Sequence, residues 1–479
     1  MKRFFASIGR FFWSWGFLEF VLGLIALGIV LYVEEDWRGA HDWAMIKAKW
    51  EAQGESFDYA KFIPPPVPDD ENLAAIPLFK LEPVKNEDGS STIEPVTLQK
   101  AMRSDLSNRE LPRTGNFQRG DLPDMGKIRS GITGIYTTVF EGAVPPTNIL
   151  TQFNTIYPFL NDFIAESARR PLYRIKEDYL VSPPSARPLG PVTDQITLSK
   201  LLALHAVIAI EERQPDLALS DLETNYKISC GVARDPSLVG GLVAIGVAAI
   251  GNGALYNGVA EHAWSDAQLA KLDQALSRAD FLSGFQFAMR CEVARSAGNF
   301  DFYQNLASRR AKEELFDFSK AESLETLISH WPSGWWEENK CGMAERLLTT
   351  LATVDPKERR VLPKTSDRIR DEIESAKAGW YGYAPWNLLA TISTGPITSA
   401  VSHFAQAQVC IDEARIACAL ERYRLVHGVY PETLEALAPG YIDEVPHDIM
   451  NGEPYRYKLR ADGTFLLYSV GWNQTDDGG

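Results

Sequence analysis

Cysteine is scarce in this 479-residue chain: Cys230, Cys291, Cys341, Cys410 and Cys418 are scattered, which excludes a disulfide framework. One bridge, for example Cys230 with Cys291, stays open. Cys410 and Cys418 stand about 12 Å apart in rise on one helical pattern, too far to bond. Catalytic signatures are missing too. None of His41, His205, His262, His330, His403, His427 and His447 belongs to an H-E-x-x-H motif or a zinc-like spacing. There is no G-x-S-x-G elbow, no Walker loop and no G-x-G-x-x-G after a strand. A basic run is also lacking. With 48 Lys and Arg against 63 Asp and Glu, the net charge is −15, and nucleic acid is not an expected partner. What remains is 45% hydrophobic and 23% charged, the balance of a globular chain of about two or three domains.

Long uncharged runs are where the sequence speaks most clearly. From Phe11 to Val33 the only charge is Glu19, and Phe20–Val33 is rich in Leu, Ile and Val. About 20 apolar residues cross a bilayer core, so a transmembrane anchor is expected over 17–33, with Glu19 near the inner interface. Lys2, Arg3 and Arg10 precede the span, and Glu34, Glu35 and Asp36 follow it. That asymmetry predicts a cytoplasmic N-terminus, residues 1–16, and an exported remainder. Trp13, Trp15, Tyr32 and Trp37 fall near the two interfaces. No small-x-small site follows the apolar run, which argues against a cleaved signal peptide. A second uncharged stretch, Pro236–Ala260, is glycine-rich, but Asn252, Tyr256 and Asn257 and its amphipathic flanks predict a buried helix.

Residues 34–96 read as a Pro-rich linker or strap, centred on the stiff run Pro64–Pro68, with Glu71–Leu78 able to dock by its apolar side. Residues 97–395 read as a helical domain. Helices are predicted over Asp194–Arg213, Pro215–Ala233, Pro236–Ala260 and Ser265–Ala279, and further over Phe285–Asn305, Arg309–Ile328, Ala344–Leu351 and Lys364–Ala378. Leu198, Leu201, Leu202, His205 and Ile208 share one helical face. Ser265 and Gln268 form a capping-box pattern. Successive hairpins suggest an α-solenoid or irregular bundle without a named repeat period. From residue 396 the character changes. A long helix over Thr398–His427 leads to a short one near Leu434, then to strands Pro454–Leu459 and Thr464–Val470 around a hairpin turn. The expected fold is therefore mainly α: an anchor, a helical ectodomain and a small α+β domain over 396–479.

The run Ala419–Arg424 with His427-Gly428-Val429-Tyr430-Pro431-Glu432-Thr433-Leu434 resembles the major pseudopilin of type II secretion systems. So do Pro446-His447-Asp448, Gly452–Tyr457 and Tyr468–Gly471. The resemblance implies a periplasmic α+β module whose last loop binds calcium. The positions available here are Ser469, Asn473, Asp476 and Asp477, oxygen ligands of the kind a hard cation takes. Pseudopilins carry the apolar stem directly on this helix, with a Glu at the fifth mature position. Here the anchor is remote and its acid is Glu19, so the module is read as a borrowed domain.

The paired acids Glu211-Glu212, Glu313-Glu314 and Glu337-Glu338 point about 100° apart on a helix, so they read as solvated faces rather than glycosidase pairs. The aromatic cluster Trp331-Pro332-Ser333-Gly334-Trp335-Trp336 reads as a Pro/Gly loop, either a binding surface for sugar or peptide or a plug in the helical domain. The function expected is structural or interaction-based, at the bacterial inner membrane and with secretion or envelope-assembly proteins as partners. An envelope-polymer hydrolase and a glycan- or peptide-binding module are the alternatives.

Overall fold

A single helix, α1 (Trp15–Glu51), carries the anchor and runs on beyond it without a break. No residue of its apolar window is buried, and Leu18, Phe20, Leu22, Ile25 and Ile29 all face outward. Nothing between Val33 and Glu51 breaks a helix: the stretch holds no proline, and Gln53 and Gly54 close the last turn. The computed structural model describes residues 15–85, 91–103, 111–313, 328, 330–478. Lys2, Arg3, Arg10 and Trp13, and most of the helix expected over 309–328, lie outside them.

The chain is mainly helical and forms two compact units. The first gathers residues 1–58, 293–348 and 371–397; the second gathers 59–292, 349–370 and 398–479.

In the second unit, α2 (Val96–Ala101), α3 (Met125–Val139), α4 (Ile149–Ile156) and α5 (Phe159–Arg169) precede the central helices. These are α6 (Gly190–Glu211), α7 (Pro215–Val232) and α8 (Leu238–Ala260), which pack against one another. α6 and α8 are long and apolar enough to cross a membrane, yet most of each apolar window is buried in protein. Burial on all sides explains why neither shows a polar face. Polar side chains between them are paired rather than stranded. Asn225 donates to the Val247 carbonyl at 2.9 Å, Ser229 to Ala244 at 2.8 Å and Tyr226 to Asn252 at 2.8 Å. Close approach needs glycine here: a Cβ on Gly241 would meet the Phe404 ring, and one on Gly258 the Trp264 indole. α9 (Asp266–Leu276) carries the full capping box from Ser265 and Gln268. The segment after Pro64–Pro68 lies along this unit as 3-10 turns, with Leu73, Ala74 and Phe79 buried and Leu73 N–H bonded to the Leu172 carbonyl at 2.8 Å. A strand pair, β1 (Glu82–Lys85) and β2 (Ser91–Glu94), follows.

α10 (Phe281–Glu313) leads into the first unit, where it meets α11 (Ser333–Thr350). The short hairpin β3 (Val354–Asp355) and β4 (Arg360–Val361) and α12 (Pro363–Ala378) come next, then α13 (Pro385–Thr394). α14 (Ala400–His427) packs on α8 and α9. It ends at Gly428, whose φ of +76° favours glycine. Beyond it β5 (Arg456–Leu459) and β6 (Phe465–Tyr468) pair antiparallel, Arg456 opposite Tyr468 and Leu459 opposite Phe465. A two-stranded hairpin is marginal alone, so it leans on its helix. Tyr430 stacks edge-on to Phe465 and donates to Glu421 of α14 at 2.8 Å.

Candidate functional site

A cleft of about 670 Å³ lies in the second unit, within the range of small-molecule sites. α5, α7 and α9 form its walls, and Pro64–Val67 with the segment 171–179 form its rim. Five cationic side chains line it, Arg174, Lys227, Arg234, Lys271 and Arg278, against two carboxylates, Glu223 and Asp235. In a chain of net charge −15 this is a local reversal of sign. The sequence shows no basic face because these cations are distant in the chain; the fold assembles one.

Each cation is held differently. Lys227 points at the end of α5, donating to the Ser167 carbonyl and, at 2.9 Å, to the Arg170 carbonyl, where orphan helix acceptors gather. Burial lowers its pKa, with Glu223 acting against that and Arg278 adding to it. Arg174 donates to the Pro64 carbonyl at 3.0 Å and stacks on Tyr179, 5.0 Å from the ring centre. Arg234, Lys271 and Arg278 make no ion pair among the described residues.

Behind the rim, Arg187 fills a buried triad with Glu177 and Asp235. Its guanidinium lies 2.5 Å from Glu177 and closer still to Asp235, over the Tyr179 ring at 4.7 Å. Burial pushes the Glu177 carboxyl up while Arg187 pulls it down, and its net position is above the ordinary value. Ser237, the N-cap of α8, donates to Asp235 at 2.5 Å, which ties the triad to the helix start.

All five cysteines are free thiols, so the Cys230–Cys291 bridge left open by the sequence is not made. Cys230 is half-buried in the cleft wall, and the other four are buried. Burial raises the Cys230 pKa, with Arg234 and Arg278 working against it. Iodoacetamide should therefore alkylate Cys230 alone in the native protein, and slowly at neutral pH. Peptide mapping checks this; a second modified cysteine would contradict the burial pattern.

His205 stands seven residues before Glu212, near it on a helix face, yet its partner is another residue. It is fully buried with Nδ1 2.9 Å from Asp221 on α7. Burial pushes Asp221 up to about 6, and His205 pulls it down. Neither residue lines the cleft. Glu212 instead accepts from Asn148 at 2.8 Å.

The tryptophans sit in the first unit. Trp335 and Trp336 belong to the first turn of α11, not to a loop, since Pro332 and Gly334 are tolerated at a helix start. Trp336 is buried, and Trp331 and Trp335 are half-buried. Trp331 packs on both, and Trp335 on Trp386, with ring centres 5.8–6.0 Å apart. The cluster meets α1 just past its apolar run. Trp335 Nε1 donates to Glu35 at 3.0 Å, and Tyr32 donates to the Trp331 carbonyl at 3.3 Å. Gly39 and Gly334 touch backbone to backbone, leaving no room for a Cβ on either. One turn on, Lys340 is buried between Asp301 and Glu337, both at 2.6 Å, with the Trp43 ring of α1 4.8 Å away. Trp335→Phe keeps an aromatic ring but removes the hydrogen bond to Glu35 together with part of the packing on Trp331 and Trp386. A loss of about 1 kcal/mol in the stability of this unit is expected, read by thermal melting. An unmoved melting temperature would show that bond to be idle.

In the C-terminal loop, Ser469 donates to Asp448 at 2.8 Å, and Asn473 accepts from the Thr475 N–H at 3.0 Å. Asp476 accepts from Tyr468 at 2.8 Å and lies 3.3 Å from Arg456. Asp477 is exposed in the tail beside it. The described residues contain no group of three or more His, Cys, Asp or Glu placed to hold a metal ion. A calcium ion at Asp476 would compete with Arg456 for the same carboxylate.

No family model, curated protein or solved structure matches this chain. Function has to be argued from its own geometry: an exposed apolar helix fastened to one unit, and a cationic cleft in the other.

Proposed function

We infer that the chain is a membrane-anchored bacterial envelope protein with a structural or interaction role, in secretion or envelope assembly. The observation that carries this reading is α1. Its apolar length is wholly exposed and matches a bilayer core, and its continuation is clasped by the tryptophan cluster and by Lys340. A helix that enters the membrane and is also fastened to a folded unit holds that unit at a fixed place relative to the lipid. The charge asymmetry around residues 17–33 supports a cytoplasmic N-terminus and a periplasmic bulk, in the inner membrane with a single span. Burial of α6 and α8 supports the single span.

Residues 396–479 are the docking part in this reading, as their resemblance to a pseudopilin suggests. Val426 and Val429 stand exposed beside the end of α14 and supply an apolar contact. The test is purification of the full-length protein from solubilised native membranes, with mass spectrometry of what accompanies it. Secretion or pilus-assembly proteins in stoichiometric amount are expected, and their loss with Val426→Asp and Val429→Asp. A protein that arrives alone, in several mild detergents, would overturn the assembly role. A binding module in the helical part is the second reading, and the cleft is what favours it.

A further inference from the structure

We propose that the cleft between α5, α7 and α9 is a binding site for a phosphorylated small molecule or lipid headgroup, its phosphate held by Arg234 and Arg278 with Lys227 adding positive charge behind them, and its apolar portion lying on Ile164, Leu172 and Ile175. This does not rest on the envelope-assembly reading.

Charge is the first support. Lys227 and Arg278 act on each other as like charges, and Arg234 and Arg278 both act on the Cys230 thiol, so all three converge on one wall. Cations that outnumber the carboxylates beside them repel one another, and a bound anion removes that cost. Glu223 and Asp235 do not fill this place. Asp235 is committed to Arg187 and Ser237, and Glu223 is one carboxylate among five cations. A phosphate monoester carries about two negative charges at neutral pH, a closer match to the excess than a single carboxylate. Guanidinium groups also present paired donors in the geometry of phosphate oxygens.

Size is the second support: the cleft admits a molecule of some tens of atoms and excludes a duplex.

The experiment uses the full chain in phosphatidylcholine nanodiscs at low salt, with two probes: inorganic phosphate, and dihexanoyl phosphatidic acid, a glycerol lipid with a monoester phosphate, below its micellar concentration. Dihexanoyl phosphatidylcholine is the zwitterionic control. Protection of Cys230 from iodoacetamide and calorimetric binding are read together, so a sluggish thiol does not leave the question open. Binding of phosphate assigns a soluble phosphorylated ligand, and binding of the glycerol lipid alone assigns a headgroup. Either supports the site if Arg234→Gln with Arg278→Gln weakens it about tenfold or more while the melting temperature stays put. Both arginines are exposed at the cleft mouth, so the double variant is expected to fold. Failure of both probes, equal binding of the zwitterionic control, or full binding by the double variant would overturn the proposal.

Discussion

Arg187→Met should cost the second unit about 3–5 kcal/mol, because it strands two buried carboxylates that face one cation. Glu177, Arg187 and Asp235 keep only 4–5% of their side-chain surface exposed, and the guanidinium makes hydrogen bonds to both acids. Without it, Glu177 and Asp235 repel each other in a medium that solvates neither. Protonation relieves part of that cost, so the penalty should shrink as pH falls. The sign follows from linkage: in the variant the native carboxylates bind protons more tightly than in the unfolded chain, so stability drops with rising pH. Adding Glu177→Gln and Asp235→Asn to Arg187→Met should recover most of the loss, since neutral amides carry no charge to strand. The measurement is the free energy of hydrogen exchange at α8, whose N-cap Ser237 is bonded to Asp235. A loss below about 1 kcal/mol would mean that water enters the triad, and the account of the rim would fail. The same variant should loosen the cleft, because Asp235 and Tyr179 belong to both.

Local signals made much of the fold legible, and the limits of legibility are physical. Where a cap residue or proline marks an end, the sequence reading and the structure agree closely: α7 starts at Pro215, α9 is capped by Ser265, and α14 stops at Gly428. The predicted hairpin is present, its strands shortened to Arg456–Leu459 and Phe465–Tyr468. The reading faltered where proline or glycine carried two meanings. Pro332 and Gly334 looked like a loop, yet they open α11, because the first turn needs no N–H and Gly334 must lie against α1. α6 begins at Gly190 rather than Asp194 for a similar reason, with Pro191 in its first turn. Residues 34–96 read as a linker or strap on the strength of their prolines, but those begin only at Pro64, and α1 continues to Glu51.

The cleft was illegible for another reason. Arg174, Lys227, Arg234, Lys271 and Arg278 come from two helices and three connections, and acidic residues stand near most of them in sequence. Only tertiary packing turns those acids away, Asp235 toward Arg187 and Asp273 toward Arg415 at 2.8 Å. His205 shows the same limit. Helical spacing brings only Glu212 of its own helix near it, and the fold supplies Asp221 from the next one. The tryptophans, by contrast, announced themselves by composition, and what stayed hidden was that their partner is the anchor helix itself.

Glu413→Gln should stabilise the second unit at pH 8 by about 2 kcal/mol and leave it unchanged near pH 4.5. Glu413 on α14 accepts the Ser469 N–H at 3.0 Å and makes no ion pair among the described residues. Burial pushes its pKa to about 8, the Ser469 N–H acts against that, and the charges of Asp448 and Asp412 push it further up. Asp412 has Arg359 at 2.8 Å, and Asp448 is bonded to Ser469 and Val470, so neither neighbour is free to relieve it. In the unfolded chain the carboxyl releases its proton near the ordinary 4.5. Between that pH and 8 the native state holds a proton the unfolded state has lost, so stability falls as pH rises and levels off above 8. The full shift corresponds to about 5 kcal/mol, but Glu413 is only half-buried, and water reaching it screens more than half. Glutamine keeps an oxygen for the Ser469 N–H and has no charge to bury, so its curve should run flat where the native one declines. Melting of the two proteins in parallel from pH 4.5 to 9 decides the matter: a gap that does not widen with pH would show Glu413 ionised at neutrality and hydrated beneath the hairpin.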